Sequence, residues 1–277
     1  MWTVGNKPTI EDAIRDIDVL IYHCINLDNT HKPMLTKLYR EYHAKGYTTM
    51  QELLPLEPKK RVIQGQYISK MTGNNTLAYI RRQLKANVTQ CPMCGINETH
   101  QLDHYMNEAD YGQLACCRLN LVPTCGVCNR LKHDGAYSDY VHAYYDIYPN
   151  VDFLITTIMV KNNRVGMTFS IDQNAIENAD LARRTVAQFM NLELTKRLHK
   201  AGIMFICEEV GKMLCTTDKE LQANLAQLEI TCMRQYHRND WRTSIVRGLR
   251  KNASFNINVV NAMRSSKRQR PVNGGGA

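Results

Sequence analysis

The chain contains no apolar run approaching the ~18 residues that a membrane-crossing helix requires, so no membrane span is expected. Its first residues, MWTVGNKPTIEDAIRD, have no charged start followed by an apolar stretch, so no secretory signal is expected and a cytoplasmic location is the reading. Fifteen glycines and eight prolines in 277 residues, beside 44% apolar residues, exclude a collagen-like or disordered polymer. No internal repeat is present, which excludes a solenoid. In a cytosolic chain structural disulfides are not expected, so the ten cysteines are read as buried thiols or metal ligands.

Basic residues are scarce in one place and acidic residues in another. Residues 91–149 have only Arg118, Arg130 and Lys132 against seven acidic residues, net −4. Residues 238–270 have nine basic residues and only Asp240 against them, net +8. The total of +9 is therefore an acidic middle between basic flanks, residues 1–90 being +5 and 150–277 being +8. Basic flanks point to an anionic partner, nucleic acid first, with a merely basic surface as the plain alternative.

Hydrophobic spacing predicts a helix over 9–27, with Ile10, Ile14, Ile17, Leu20 and Ile21 on one face and Thr9 at its start. Helices are also predicted over 33–44 and 74–86, with shorter helical pieces over 47–72 and a short aromatic helix over 138–147. VDFLITTIMV and RVGMTFSI flank Lys161-Asn162-Asn163, a hairpin signal. From Ile176 to about Val259 the pattern is helical, with breaks expected near Gly202, Thr216–Asp218 and Asn239. The expected class is α+β, mostly helical: an N-terminal helical segment 1–87, a central module 88–149, a hairpin with helices over 150–270, and a disordered tail 271–277.

The central stretch from Cys91 to Asp134 holds two C-x-x-C pairs, Cys91/Cys94 and Cys125/Cys128. Four thiolates in two such knuckles suit a closed tetrahedral Zn²⁺ site with a structural role, and Gly95 and Gly126 allow tight turns there. The other readings are four free thiols or a redox pair, but a redox C-x-x-C normally stands alone at a helix start. Cys116 and Cys117, like Cys24, Cys207, Cys215 and Cys232, are read as buried thiols.

Between and after the knuckles the chain reads CPMC, LDHY, LNLVP and CGVCNRLK, in that order. Over these ~45 residues it resembles the HNH endonucleases, the ββα-metal nucleases: a D-H pair, an Asn in an N-L step, then C-x-x-C-N-x-x-K, with an upstream C-x-x-C in the zinc-bearing members. The resemblance implies a central ββα module that hydrolyses phosphodiesters. His104 would be the general base, since a neutral imidazole can take a proton from water near pH 7. Asp103 and Asn129 would hold a catalytic Mg²⁺ or Mn²⁺, and Asn120 would fix the loop and orient the base. Lys132, one helical turn after Asn129, is the expected phosphate contact.

The DHY step, the NLVP run, the tyrosines at 140, 144, 145 and 148 and the downstream hairpin are similar to the stand-alone HNH nuclease subunits of bacterial anti-phage defence systems, of the Septu and retron-associated type. That similarity implies an ATPase partner. The chain departs from these relatives in having no proline near Met106–Asn107. An acidic module repels nucleic acid, so substrate must be held elsewhere. Lys59-Lys60-Arg61, Arg81-Arg82-Lys85 and the C-terminal basic arm are candidates, and the arm is favoured, through Arg242, Arg247, Arg250 and Lys251 beside Trp241. The competing reading is a non-catalytic zinc-ribbon protein that binds nucleic acid or acts as a scaffold.

Overall fold

The computed structural model describes residues 3–5, 7–45, 56–86 and 88–268. The pieces expected over 47–55 and the tail at 271–277 lie outside them. Among the described residues the chain is α+β and mostly helical, with two two-stranded antiparallel sheets. It divides into two compact units: residues up to Tyr148 together with Arg183–Leu192, and Pro149–Ala182 together with the chain from Glu193 onward.

In the first unit, α1 (Ile10–His23) begins where the Thr9 hydroxyl accepts the Asp12 amide, at 3.1 Å. Its inner face carries Ala13, Ile17 and Leu20 and packs on α2 (Lys32–Lys45), which buries Leu35, Leu38, Tyr39 and Tyr42. The short helices α3 (Lys60–Gln66) and α4 (Ala78–Ala86) follow, joined through a π-helical turn at Tyr67–Met71. The expected split at residue 87 does not separate two cores. Asp16 of α1 is buried against Arg118, whose Nη2 donates to it at 2.8 Å, and the Cys116 thiol donates to the Ile63 carbonyl at 3.5 Å. The N-terminal helices therefore form the wall against which the central segment folds.

That central segment runs through β1 (Gln101–His104), β2 (Leu121–Thr124) and α5 (Gly126–Lys132). The strands pair with Asp103 opposite Val122 and His104 opposite Leu121. The aromatic helix expected over 138–147 does not form. A 3-10 turn at Tyr137–Asp139 is followed by irregular chain. The reason is local competition for the backbone: the Val141 amide is taken by Gln188, the His142 amide by Asp146 and the Tyr144 amide by the His142 ring. Tyr140 and Tyr144 are nonetheless buried, and the Tyr144 hydroxyl donates to the Leu121 carbonyl at 2.7 Å.

The second unit is built on a hairpin of β3 (Leu154–Lys161) and β4 (Arg164–Ile171). Asn162 and Asn163 both have positive φ, 51° and 57°, as a two-residue turn matched to strand twist requires. The helix α6 (Ala179–Asn191) belongs to this unit only through Ala182, its remainder counting with the first; α7 (Leu194–Phe205), α8 (Asp218–Tyr236), α9 (Trp241–Lys251) and α10 (Ile257–Arg268) follow. Breaks fall near 217, where Thr217 and Glu220 form a capping box, and near 239, where Asp240 caps α9. Gly202 does not break its helix: it lies inside α7, where a Cβ would sit 2.5 Å from the Met167 sulfur and 2.9 Å from Ile245 Cδ1. The break falls instead at Glu193, in the left-handed region at φ 51°. Of the six cysteines read as buried, Cys207 is only half-buried.

Candidate metal centre and active site

Cys91 and Cys94 lie in a turn that Gly95 closes at φ 66°, ahead of β1. Cys125 is the N-cap of α5, its sulfur accepting the Cys128 amide at 3.4 Å, so Cys128 falls on the first helical turn. All four side chains are buried and their sulfurs lie within 4.8 Å of one another. A tetrahedral ion with bonds of about 2.3 Å needs sulfurs about 3.8 Å apart. Cys94 and Cys125 are already at 3.9 Å. Amide groups also point at the sulfurs, Ile96 N to Cys94 at 3.4 Å and Asn97 Nδ2 to Cys125 at 3.7 Å, as suits thiolates. Hydrogen bonds from Cys128, Cys91 and Cys94 pull the Cys125 thiol down, while the same crowding pushes Cys128 up. The buried four-cysteine group thus has the donors, spacing and closure of a structural zinc site. Among the described residues no second group of His, Cys, Asp or Glu gathers closely enough to hold one ion.

The same three elements carry the other candidates. Asp103 and His104 point to different surroundings, as alternation along a strand dictates. Asp103 is buried against α5, where the Lys132 ammonium lies 3.2 and 3.1 Å from its two oxygens. Lys132 also donates to the His104 carbonyl at 2.6 Å, and its side chain is 0% exposed. Burial pushes the Asp103 carboxyl up, and the Lys132 charge works against that rise. The position read as a phosphate contact is therefore an interior cation: Lys132 is turned onto Asp103, away from solvent.

The His104 ring is nearly enclosed, its side chain 10% exposed. Nε2 lies 3.0 Å from the Ala115 carbonyl, which can only accept, so the proton is on Nε2 and Nδ1 keeps its lone pair. Nδ1 is 3.7 Å from Glu108 Oε2, and Tyr67 packs edge-on at 4.4 Å between ring centroids. Burial pulls the imidazole down to about 4, the Ala115 bond opposing this and the Lys132 charge adding to it. Burial also pushes the Glu108 carboxyl up.

Asn120 is wholly buried just before β2. Its Oδ1 accepts the Met106 amide at 2.8 Å and its Nδ2 donates to the Met106 carbonyl at 3.0 Å. The Tyr42 hydroxyl donates to the same Oδ1 at 3.1 Å and meets His142 Nε2 at 2.9 Å. His142 Nδ1 accepts the Tyr144 amide, so Nε2 bears its proton and the chain of donors runs from His142 through Tyr42 to Asn120. Asn107 shapes the loop that follows β1: its Oδ1 accepts the Asp110 amide at 2.8 Å and its Nδ2 donates to Asp110 at 3.0 Å. Asn129, half-buried in α5, donates through Nδ2 to Gln101 Oε1 at 2.9 Å.

Over 147 residues the chain is 29% identical to protein ea31 of Escherichia phage lambda, a stretch covering 46% of this chain and 49% of the other. The chain therefore spans about half the length of the curated relative it matches. No family model and no solved structure matches it.

Two of the C-terminal basic residues, Arg242 and Arg247, are held in ion pairs. Arg242 is paired with Asp240 at 3.1 Å and stacked between Trp241 and Tyr236, each 4.2 Å away. Arg247 pairs with Glu229 at 3.1 Å and Asp152 at 3.0 Å, and Arg250 pairs with the other Glu229 oxygen. Arg242 and Arg247, expected as nucleic-acid contacts, are thus tied to acidic groups inside the second unit. Arg250 is half-committed, at 42% exposure, and Lys251 is exposed. Segment charge concealed this, because Glu229 and Asp152 lie outside the basic run. Sequence reasoning also did not find Tyr67, Ala115, Tyr42 and His142, which meet the site only through folding. Glu108 had one signal, its place four residues after His104.

Proposed function

We propose that the chain is an endonuclease of the HNH type, hydrolysing nucleic-acid phosphodiester bonds with His104 as general base. Support comes from the order β1, β2, α5, with Asp103-His104 on the first strand, Asn120 at the head of the second and Asn129 in the helix. The observation that carries the reading is the geometry of His104: Nε2 is fixed on Ala115 O, which leaves the lone pair on Nδ1, and burial favours the neutral ring. Nδ1 takes one proton from the attacking water as its oxygen bonds to phosphorus. The bond from phosphorus to the departing sugar oxygen breaks, that oxygen takes a proton from solvent water, and the imidazolium then gives its proton back to solvent. Ala115 O keeps the ring in place while it is charged, and the nearby Glu108 carboxylate favours that charge.

The four cysteines fit zinc, which would hold α5 and the first knuckle together and supply no open position for chemistry. A divalent ion on Asp103 and Asn129 does not fit the arrangement described. Lys132 occupies both Asp103 oxygens, so no step is assigned to such an ion; the Asn129 bond to Gln101 uses only Nδ2 and does not engage Oδ1. Work beside an ATPase in anti-phage defence rests on the sequence resemblance alone.

The test is a cleavage panel of plasmid, single-stranded DNA and tRNA with Mg²⁺ and Mn²⁺, wild type against His104→Ala. Loss of about 100-fold or more is expected from removing a general base. Cleavage that survives the substitution overturns His104 as base. The Asp103–Lys132 pair favours a second reading, a non-catalytic zinc-held module that binds nucleic acid or a protein. Binding without any cleavage in the panel is its expected outcome.

A further inference from the structure

If His104 is where a phosphodiester is cut, the strand must be held by cations near it, and several of the described ones are already paired. Lys132 is spent on Asp103, Arg118 on Asp16, Arg184 on Asp146 and Arg183 on Asp139. The exposed side of α4 differs. Ala78, Ile80 and Leu84 face the core, while Arg81 and Lys85 lie four residues apart on one half-buried stripe. Arg81 Nη1 lies 3.4 Å from the Tyr67 hydroxyl, and Tyr67 is the ring packed against His104. Lys85 Nζ lies 3.5 Å from the carbonyl of His100, the residue just before β1. The stripe therefore runs beside the strand that ends in His104.

Among the described residues neither Arg81 nor Lys85 is paired with a carboxylate. Like charges at this spacing repel one another on a helix. The Lys85 ammonium is held below its ordinary range by partial burial and by the Arg81 charge. Two cations held close with no counter-charge make a place where an anion relieves strain, and a phosphate backbone carries anions in a row. The partly buried stems leave the charged ends with less freedom to lose on binding.

We propose that Arg81 and Lys85 form the phosphate-binding stripe of this protein, holding the nucleic-acid backbone beside His104 in place of the C-terminal basic residues. This rests on the nuclease reading for its location but is measured without cleavage.

The experiment uses the full chain carrying His104→Ala, with fluorescein-labelled single-stranded DNA, duplex DNA and RNA, read by anisotropy across a salt series. Adding Arg81→Gln and Lys85→Gln should weaken binding at least about tenfold and reduce the slope of log affinity against log salt by about 1.5, two phosphate contacts being lost. The exchange Arg81→Lys with Lys85→Arg keeps both charges and should retain most of the affinity. Lys161→Ala, which removes an exposed charge on the hairpin, should leave affinity and slope unchanged. Thermal melts establish that each variant is folded. If the glutamine pair binds like its parent, or the parent binds none of the probes, the stripe is overturned. Failure of the nuclease reading looks different: the stripe binds, yet the wild-type chain cuts nothing in a His104-dependent way.

Discussion

The ammonium of Lys132 sits 3.2 and 3.1 Å from the two carboxylate oxygens of Asp103, with neither side chain open to solvent. It ties α5 to β1 through a charge pair and, through the His104 carbonyl, to the strand backbone itself. A buried pair of this kind contributes little net stability against an apolar replacement, but breaking it leaves one charge stranded.

Lys132→Met should therefore destabilise the fold by about 3–5 kcal/mol near pH 7. Asp103 is already raised by burial, and losing Lys132 raises it further. A carboxyl with a raised folded pKa favours the fold while protonated and loses that stability as pH rises. The cost of Lys132→Met should then be smaller at pH 5 than at pH 7. Urea titrations at both values check this, and an equal cost at both would contradict it. Adding Asp103→Leu should recover most of the loss.

Elemental analysis should find about one zinc per chain in protein purified without chelator. Cys125→Ser should remove the zinc and lower the melting temperature sharply, because Cys125 both caps α5 and faces the other three sulfurs. Cys207→Ser, half-buried in the second unit, should keep the zinc. Full zinc content in Cys125→Ser would disprove the four-cysteine assignment.

With its imidazole pulled down to about 4, His104 is neutral throughout the physiological range. An ordinary histidine base would lose activity as pH falls through about 6.5. Here kcat/KM should hold between about pH 5.5 and 8 and fall only on approach to 4. The same shift acts on stability: a histidine depressed in the fold binds its proton more readily when unfolded, so stability is lost as pH falls below about 6.5. His142, also held well below its ordinary range by burial, adds to that loss. An acid limb near 6.5 in the activity profile would mean that the ring works in another environment.

Asn120→Ala should cost about 2 kcal/mol or more, since the buried Met106 amide and carbonyl both lose their partner. Amide exchange at residues 105–107 should speed up more than exchange in α8. Tyr42→Phe removes two links, the bond given to Asn120 Oδ1 and the bond taken from His142 Nε2, and should cost about 1–3 kcal/mol. Equal protection of the 105–107 loop in wild type and Asn120→Ala would contradict the role given to Asn120.

Much of the local structure was legible in the chain. Thr9 and the capping box of Thr217 and Glu220 act on amides three residues away, so helix starts can be read from neighbours. Asn162-Asn163 turns the hairpin because asparagine tolerates positive φ. The knuckle spacing likewise brings Cys91 near Cys94 and Cys125 near Cys128 within one turn. The aromatic segment after Tyr137 was misread because helical spacing is silent about side chains that take the backbone amides.

The class, most helix starts, the hairpin and the two cysteine pairs follow from interactions a few residues long and are written in the local order of residues. Folding alone makes the two pairs converge, gives Lys132 to Asp103, and binds Arg242 and Arg247 to acidic groups of their own unit. It also decided that His104 meets Ala115 and Tyr67, and that Arg81 lies beside them. Burial and partner choice depend on which distant segments pack together, and a charge counted along the chain has no address until they do.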